Sequence, residues 1–168
     1  MEYSTLTVDG RASTQELERA QFIGFVMALA TRSQVHNSTA IWTQFERATT
    51  AHSLGMYHLF FNSYGQCVGY VLWAMISSEV ESKLLTTGDA SLHISEWTEG
   101  ANLWIVDFVV PFGSLRHALE KLRDSIFAEQ RVATYFRYKN GRQFAKRLSR
   151  ERQNGFFNTK RKTARLAQ

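Results

Sequence analysis

Apolar and polar positions change period along this chain, and each change marks an element. From about Thr14 to Thr31, Leu17, Ala20, Ile23, Phe25, Val26 and Leu29 spread over a broad helical face. Ser13-Thr14-Gln15-Glu16, with the S-x-x-E spacing of a capping box, opens that helix. A polar stretch, RSQVHNST, follows, and then a short helix from Trp42 to Ala48. Two apolar runs, YHLFFN (57–62) and CVGYVLWAMI (67–76), flank the turn-forming SYGQ and predict a β-hairpin. Glu79 to Thr86 reads as a helix ending near Gly88. Leu103 to Val110 is a nearly unbroken apolar run stopped by Pro111 and Gly113, the pattern of a strand covered on both faces. Ser114 is placed to cap a helix carrying Leu115, Leu119, Leu122 and Ile126. Val132 to Tyr138 predicts another strand, and the remainder reads as basic and partly helical. The order predicts one α/β (α+β) domain, a mixed sheet flanked by helices.

One residue breaks this patterning. Asp107 has Ile105 and Val106 before it and Phe108, Val109 and Val110 after it. A buried, unpaired carboxylate costs several kcal/mol unless it is neutralised, hydrogen-bonded or paired. Asp107 therefore either joins a structural network or has its charge and orientation tuned for chemistry.

Composition narrows the classes. The chain has 168 residues, 44% hydrophobic and 21% charged, enough for one well-cored domain rather than a disordered one. Cys67 is its single cysteine, which excludes an intramolecular disulfide and a cysteine metal cluster. The first residues lack the charged-then-apolar pattern of a signal peptide, and no apolar run is long enough to span a membrane, so a cytoplasmic location is expected. The net charge of +5 is uneven: Arg137 to Arg165 holds eleven basic residues and one acid, Glu151. That is either a solvated basic face or a dock for an acidic partner.

Among the five histidines, none has metalloprotease spacing and none clusters with cysteine, so no metal is expected. His58 alternates within an apolar strand and His117 falls on a helix surface, both packing readings. His36 sits in the polar loop after the first helix, where catalytic groups are often held. Cys67, at the start of a strand, reads as a small buried hydrophobe rather than a nucleophile.

Three segments taken together carry a resemblance. They are Ser33-Gln34-Val35-His36, GYVLWAMIS (69–77) and SEWTEGANLWIVDFVVPFG (95–113). They resemble the toxin-activating lysine acyltransferases of bacteria, which modify RTX haemolysins and related toxins. That family has an S-x-x-H sequence near its N-terminus, a tryptophan-containing strand, a WTSG-like turn, and a W-[IF]-x-D-[WF]-x-x-P-[FY]-G strand. The resemblance spans roughly residues 22–140. It departs at S-Q-V-H, where S-P-L-H is usual, and at Asn37, where Arg or Lys often follows the histidine.

The resemblance implies a GNAT-like fold, and with the sequence pattern this gives a GNAT-like domain over 13–140; the pattern itself sets off a leader at 1–12 and a basic segment at 141–168. It implies transfer of an acyl group from acyl carrier protein, held as a phosphopantetheine thioester, to an internal lysine of an RTX protoxin. The catalytic pair would be His36 and Asp107, with Ser33 in support. Imidazole suits a general base here, because a free lysine is mostly protonated at neutral pH. Asp107 would orient His36 or hold the incoming ammonium, and His36 would act as base or accept the acyl group itself. The splayed strands of such a fold would supply oxyanion donors near Trp104 to Val110. Arg137, Lys139 and Arg142 would meet the acidic carrier, family members can form homodimers, and no nucleic acid or bound cofactor is expected. Two other readings stay open: the same transfer onto another peptide or small amine, and a basic binding module without catalysis.

Overall fold

The computed structural model describes residues 12–33, 36, 40–139, 142–152 and 157, with Tyr138 and Lys139 as backbone alone. Apart from Ala12, the expected leader lies outside these residues, as does the basic tail beyond Arg152 except Phe157.

Helix α1 runs over Thr14–Ala30, and Ser13 Oγ accepts from Glu16 N at 3.2 Å. A cap of this kind is worth about 1 kcal/mol. The carboxylate of Glu16 lies 3.8 Å from Arg19. The buried stripe is Phe22, Val26, Leu29 and Ala30, narrower than the sequence suggested. Leu17 and Ala20 are exposed. At about 100° per residue they fall on the far side of the helix from that stripe. Helix α2 (Ile41–Leu54) is longer than expected. It buries Gln44, Ala48 and Ala51 at spacings of four and three, and it stops at Gly55 in the left-handed conformation, φ 67°.

Strands β1 (Tyr57–Phe61) and β2 (Cys67–Ile76) form the predicted antiparallel hairpin. Helix α3 (Ser78–Thr87) is capped by Ser77 and ends at Gly88. A 3-10 turn (Ile94–Trp97) leads to strand β3 (Asn102–Val109). Helix α4 (Leu115–Lys121) continues into a π-helical turn (Leu122–Ile126). Ser114 precedes α4 but makes no side-chain cap there, its backbone at φ −81°, ψ 17° rather than the extended geometry a cap needs. Strand β4 (Val132–Lys139) follows, and then β5 (Arg142–Ser149).

Strand β5 corrects the expectation of a partly helical end. Phe144 and Leu148 lie four apart, which imitates a helical stripe. Residues 142 and 144–147 are exposed, so β5 lacks the two-residue alternation of a half-buried strand.

The five strands lie in chain order, β1-β2-β3-β4-β5. All neighbours are antiparallel except β3 and β4, which pair in parallel over Leu103↔Ala133, Trp104↔Thr134 and Ile105↔Tyr135 only. Both strands run on beyond the third pair without pairing each other further. Against one face pack Phe22, Val26 and Leu29 of α1, Ala48 and Ala51 of α2, and Val80 and Leu84 of α3. Against the other pack Ala118 of α4 with Leu122 and Phe127 beyond it. This is a three-layer α+β domain. Fully burying each Val, Leu or Phe among them contributes about 1.5–3 kcal/mol.

Two residues of the W-T-E-G segment serve this packing. Trp97 is 2% exposed within the core on the α1 side. Gly100 donates its N–H to Met75 O at 2.9 Å, and a Cβ there would lie 2.1 Å from the Ile76 carbonyl carbon. Only glycine allows that approach.

One irregularity decides where Asp107 points. Leu72 pairs with Asp107 but Trp73 pairs with Ile105, so Val106 is an extra residue in β3. Trp104 and Val106 face the α1 side, while Leu103 and Ile105 face α4. Beyond the extra residue the parity is reversed: Phe108 faces α4 and Val109 faces α1. A β-bulge turns two successive side chains toward one face, and here they are Val106 and Asp107.

Candidate active site

The bulge aims Asp107 at the layer formed by α1 and α2, and three residues from three segments meet it there. His36 Nε2 lies 2.9 Å from Asp107 Oδ1, across 71 residues of sequence. Gln44 of α2 donates through Nε2 to Asp107 Oδ2 at 2.6 Å. Tyr70 of β2 donates its hydroxyl to the same Oδ2 at 2.8 Å and accepts a second bond from Gln44 Nε2 at 3.0 Å. The side chains of His36 and Asp107 are 10% and 6% exposed, so the pair is shielded from water.

Local structure places His36. After α1, Ser33 N donates to Ala30 O at 3.0 Å, and His36 N donates to Ser33 O at 3.0 Å. Ser33 thus contributes its backbone to the turn that carries the histidine. The Arg32 guanidinium sits 5.6 Å from the centre of the Phe112 ring, just past the end of β3. This cation–π contact ties the end of α1 to the end of the strand that holds Asp107.

The electrostatics follow from the contacts. Burial alone pushes Asp107 toward its protonated form, but hydrogen bonds from His36, Gln44 and Tyr70 and the His36 charge outweigh it. Its carboxyl is held below the usual carboxylate range. Burial, then the Asp107 charge, push the Tyr70 phenol far up, so it stays a neutral O–H donor.

The direction of the His36 bond is then fixed by chemistry. An ionised carboxylate only accepts, so His36 Nε2 carries a hydrogen, and whenever the imidazole is neutral the lone pair is on Nδ1. Among the described residues, His36 Nδ1 and Gln44 Oε1 are buried polar atoms without a hydrogen-bond partner. Such atoms are uncommon in folded proteins, and an unpartnered imidazole lone pair beside a carboxylate is the arrangement of a general base.

The other sequence candidates fall elsewhere. Arg137 and Arg142 are exposed on the β4–β5 ribbon, away from the His36–Asp107 pair in the hydrogen-bond network, and the Lys139 backbone pairs with Arg142. His58 packs edge-on to Phe60, and His117 is exposed. Cys67 is half-buried, and burial pushes its thiol up, away from a reactive thiolate. Among the described residues no three His, Cys, Asp or Glu side chains gather as a metal site requires. Nor is any helix there long and apolar enough to cross a membrane. A cavity of about 90 Å³ lies against Val106, lined also by Thr43, Glu46, Arg47, Leu92 and Trp97.

Sequence reasoning missed Gln44 and Tyr70. Tracing α2 to Leu54 reveals Gln44 on the same stripe as Ala48 and Ala51, a polar residue where an apolar one is expected. Tyr70 is 0% exposed, so its hydroxyl had to find a partner.

The defining pattern of the HlyC family, the RTX toxin acyltransferases, matches residues 15–150. The chain belongs to this family. It is therefore an acyltransferase. It is 27% identical over 107 residues to the lysine-acyltransferase RtxC of Vibrio cholerae, covering 64% of this chain and 69% of that one. A protein-lysine myristoyltransferase RtxC of Kingella kingae is 24% identical over 120 residues, 69% of this chain and 71% of the relative. A protein-lysine myristoyltransferase HlyC of Escherichia coli is 35% identical over 69 residues, 39% of this chain and 40% of that protein. The RTX toxin acyltransferase match takes in His36, Gln44, Tyr70 and Asp107, and also β5.

Proposed function

We propose that this protein transfers a fatty acyl group from acyl carrier protein to the ε-amine of an internal lysine of an RTX-type protoxin. The observation that carries the reading is the buried His36–Asp107 pair with its unpartnered Nδ1. Family membership and the relatives' names, lysine-acyltransferase and protein-lysine myristoyltransferase, support the reaction class.

A thioester is already activated, so the chain's task is to prepare the amine. The lysine nitrogen attacks the thioester carbonyl carbon, and His36 Nδ1 takes a proton from that nitrogen. Asp107 keeps its charge and stabilises the imidazolium without accepting the proton. The tetrahedral intermediate collapses, the C–S bond breaks, and the imidazolium proton goes to the departing thiolate. The products are an amide and the free phosphopantetheine thiol. The parting of β3 and β4 beyond Ile105 supports a GNAT-like reading, in which unpaired β3 backbone N–H groups face the oxyanion.

The β4–β5 ribbon suits the acidic carrier. Alternation puts Arg137, Arg142 and Lys146 on the face that bears Leu148, with exposed Phe144 between them. A cationic strip of this kind speeds encounter with an acidic partner and loses strength with salt. The binding-module alternative gains no support from a site that keeps both His36 and Asp107.

The test is intact-mass spectrometry of a candidate RTX protoxin after incubation with this protein and acyl carrier protein loaded with chains of several lengths. One acyl mass on a protoxin lysine, lost in His36→Ala and Asp107→Ala, is the expected result. Donor consumed only with another acceptor would remove the protoxin from the proposal. Donor never consumed would remove the transfer itself.

A further inference from the structure

We propose that Gln44 and Tyr70 are positioning residues: together they lock the Asp107 carboxylate in place and in its charged form, and so keep the His36 proton on Nε2. The inference rests on His36 and Asp107 being the reacting pair.

Counting hydrogens carries the argument. The Gln44 amide has two N–H bonds, one directed at Tyr70 Oη and one at Asp107 Oδ2. The Tyr70 hydroxyl has one, directed at Asp107 Oδ2. Each donor in this triangle ends on the carboxylate, directly or through Tyr70, and none accepts from it. Rotating the Gln44 amide by half a turn would set its carbonyl against Asp107, so the anion fixes the amide and the amide fixes the anion. The arrangement leaves Gln44 Oε1 buried without a partner among the described residues. A purely structural glutamine would be expected to satisfy its carbonyl; this one sacrifices it to donate twice. Oδ2 is thereby occupied, and Oδ1 alone faces His36.

The consequence concerns one atom. With Asp107 held as an anion, His36 must donate through Nε2, leaving Nδ1 to take the proton of the amine. If Asp107 loosens or protonates, the imidazole samples both tautomers, and a fraction of the enzyme presents N–H where a lone pair is required.

Tyr70→Phe removes a single hydroxyl, and Gln44→Leu removes the amide while keeping a similar volume. Each variant, as the full chain, is assayed with acyl carrier protein as donor and a protoxin as acceptor. In parallel, two-bond ¹H–¹⁵N spectra of histidine-labelled protein report the His36 tautomer without substrate. The expected result is a fall in kcat of about ten- to a hundredfold, from losing a hydrogen bond to a charged group. The KM for the donor should stay within about twofold, since neither residue is placed to bind it. Losing a donor raises the Asp107 pKa, so the acid limb of the kcat profile moves to higher pH. The His36 pattern changes from the Nε2–H form to a mixture. Unchanged kcat and tautomer in both variants would overturn the proposal. So would a lower kcat with tautomer and acid limb unmoved, which is what a structural defect gives. A tautomer shift in protein that transfers no acyl group would keep the positioning role and sink the proposed function.

Discussion

Asp107 and Glu81 are the two buried carboxylates among the described residues, and their surroundings differ in kind. Glu81, on α3, accepts from Thr134 at 2.8 Å and from Asn102 at 3.0 Å, one donor to each oxygen. It joins a helix to β3 and β4 at the short stretch where those strands pair in parallel. Its partners do not titrate, and none of the atoms in that small network is left unsatisfied. Asp107 is met instead by an imidazole, and its network strands two buried atoms, His36 Nδ1 and Gln44 Oε1. Both carboxylates are reconciled with burial by hydrogen bonds, but only one network is left open. A closed network spends its bonding capacity on the fold; an open one holds capacity for a molecule that is not part of the chain.

Exchanging each carboxylate separates these roles. Asp107→Asn should lower turnover by about 10⁴, since the amide can donate to His36 and enforce the wrong tautomer. Its urea midpoint should move little, because Gln44 and Tyr70 still find an acceptor. Glu81→Ala should do the reverse. Leaving the Thr134 hydroxyl and the Asn102 amide without their acceptor costs about 2–4 kcal/mol, read as a lower urea midpoint. Turnover per folded molecule should stay within about twofold, as Glu81 touches no member of the His36 network.

Acid sharpens the contrast further. The folded pKa of Asp107 lies below its unfolded value. Its contribution to stability is therefore fully present above about pH 3.9, the unfolded value, and is lost as pH falls through the lower folded value. Denaturation curves measured downward from pH 5 should show this loss in the native protein and a smaller one in Asp107→Asn. The smallest effect concerns the exposed basic residues of the ribbon, which bond to neither carboxylate. Arg142→Glu should weaken the carrier by about tenfold at low salt, with kcat unchanged, and the difference should shrink at about 0.5 M salt. A titration of acyl carrier protein at two ionic strengths checks it.

Much of the fold was legible because burial on one face imprints a period. Helix α1 carries such a period, while the hairpin strands and β3 show as apolar runs bounded by turn residues, and all stand close to where these patterns placed them. β5 carries none, since both its faces meet solvent along most of its length. Of the site, Asp107 announced itself as a charge in an apolar run, and His36 through its spacing from Ser33 in a resemblance. Gln44 stayed hidden because α2 was read as ending at Ala48, which removed the stripe that makes a glutamine conspicuous there. The bulge left no trace, because an inserted valine among Ile, Val and Phe looks like any other strand residue.

That inserted valine makes activity a matter of arithmetic as well as chemistry. Keep Val106 but pair β3 as a regular strand, and every side chain from Asp107 onward changes sides, although no composition-based measure of the strand would register a difference. The acid would be intact and facing α4, and the histidine would be intact and alone. Deleting Val106 has the opposite meaning: Asp107 would then follow Ile105 in plain alternation and keep its side, so a gap of one residue at that point is compatible with the same site.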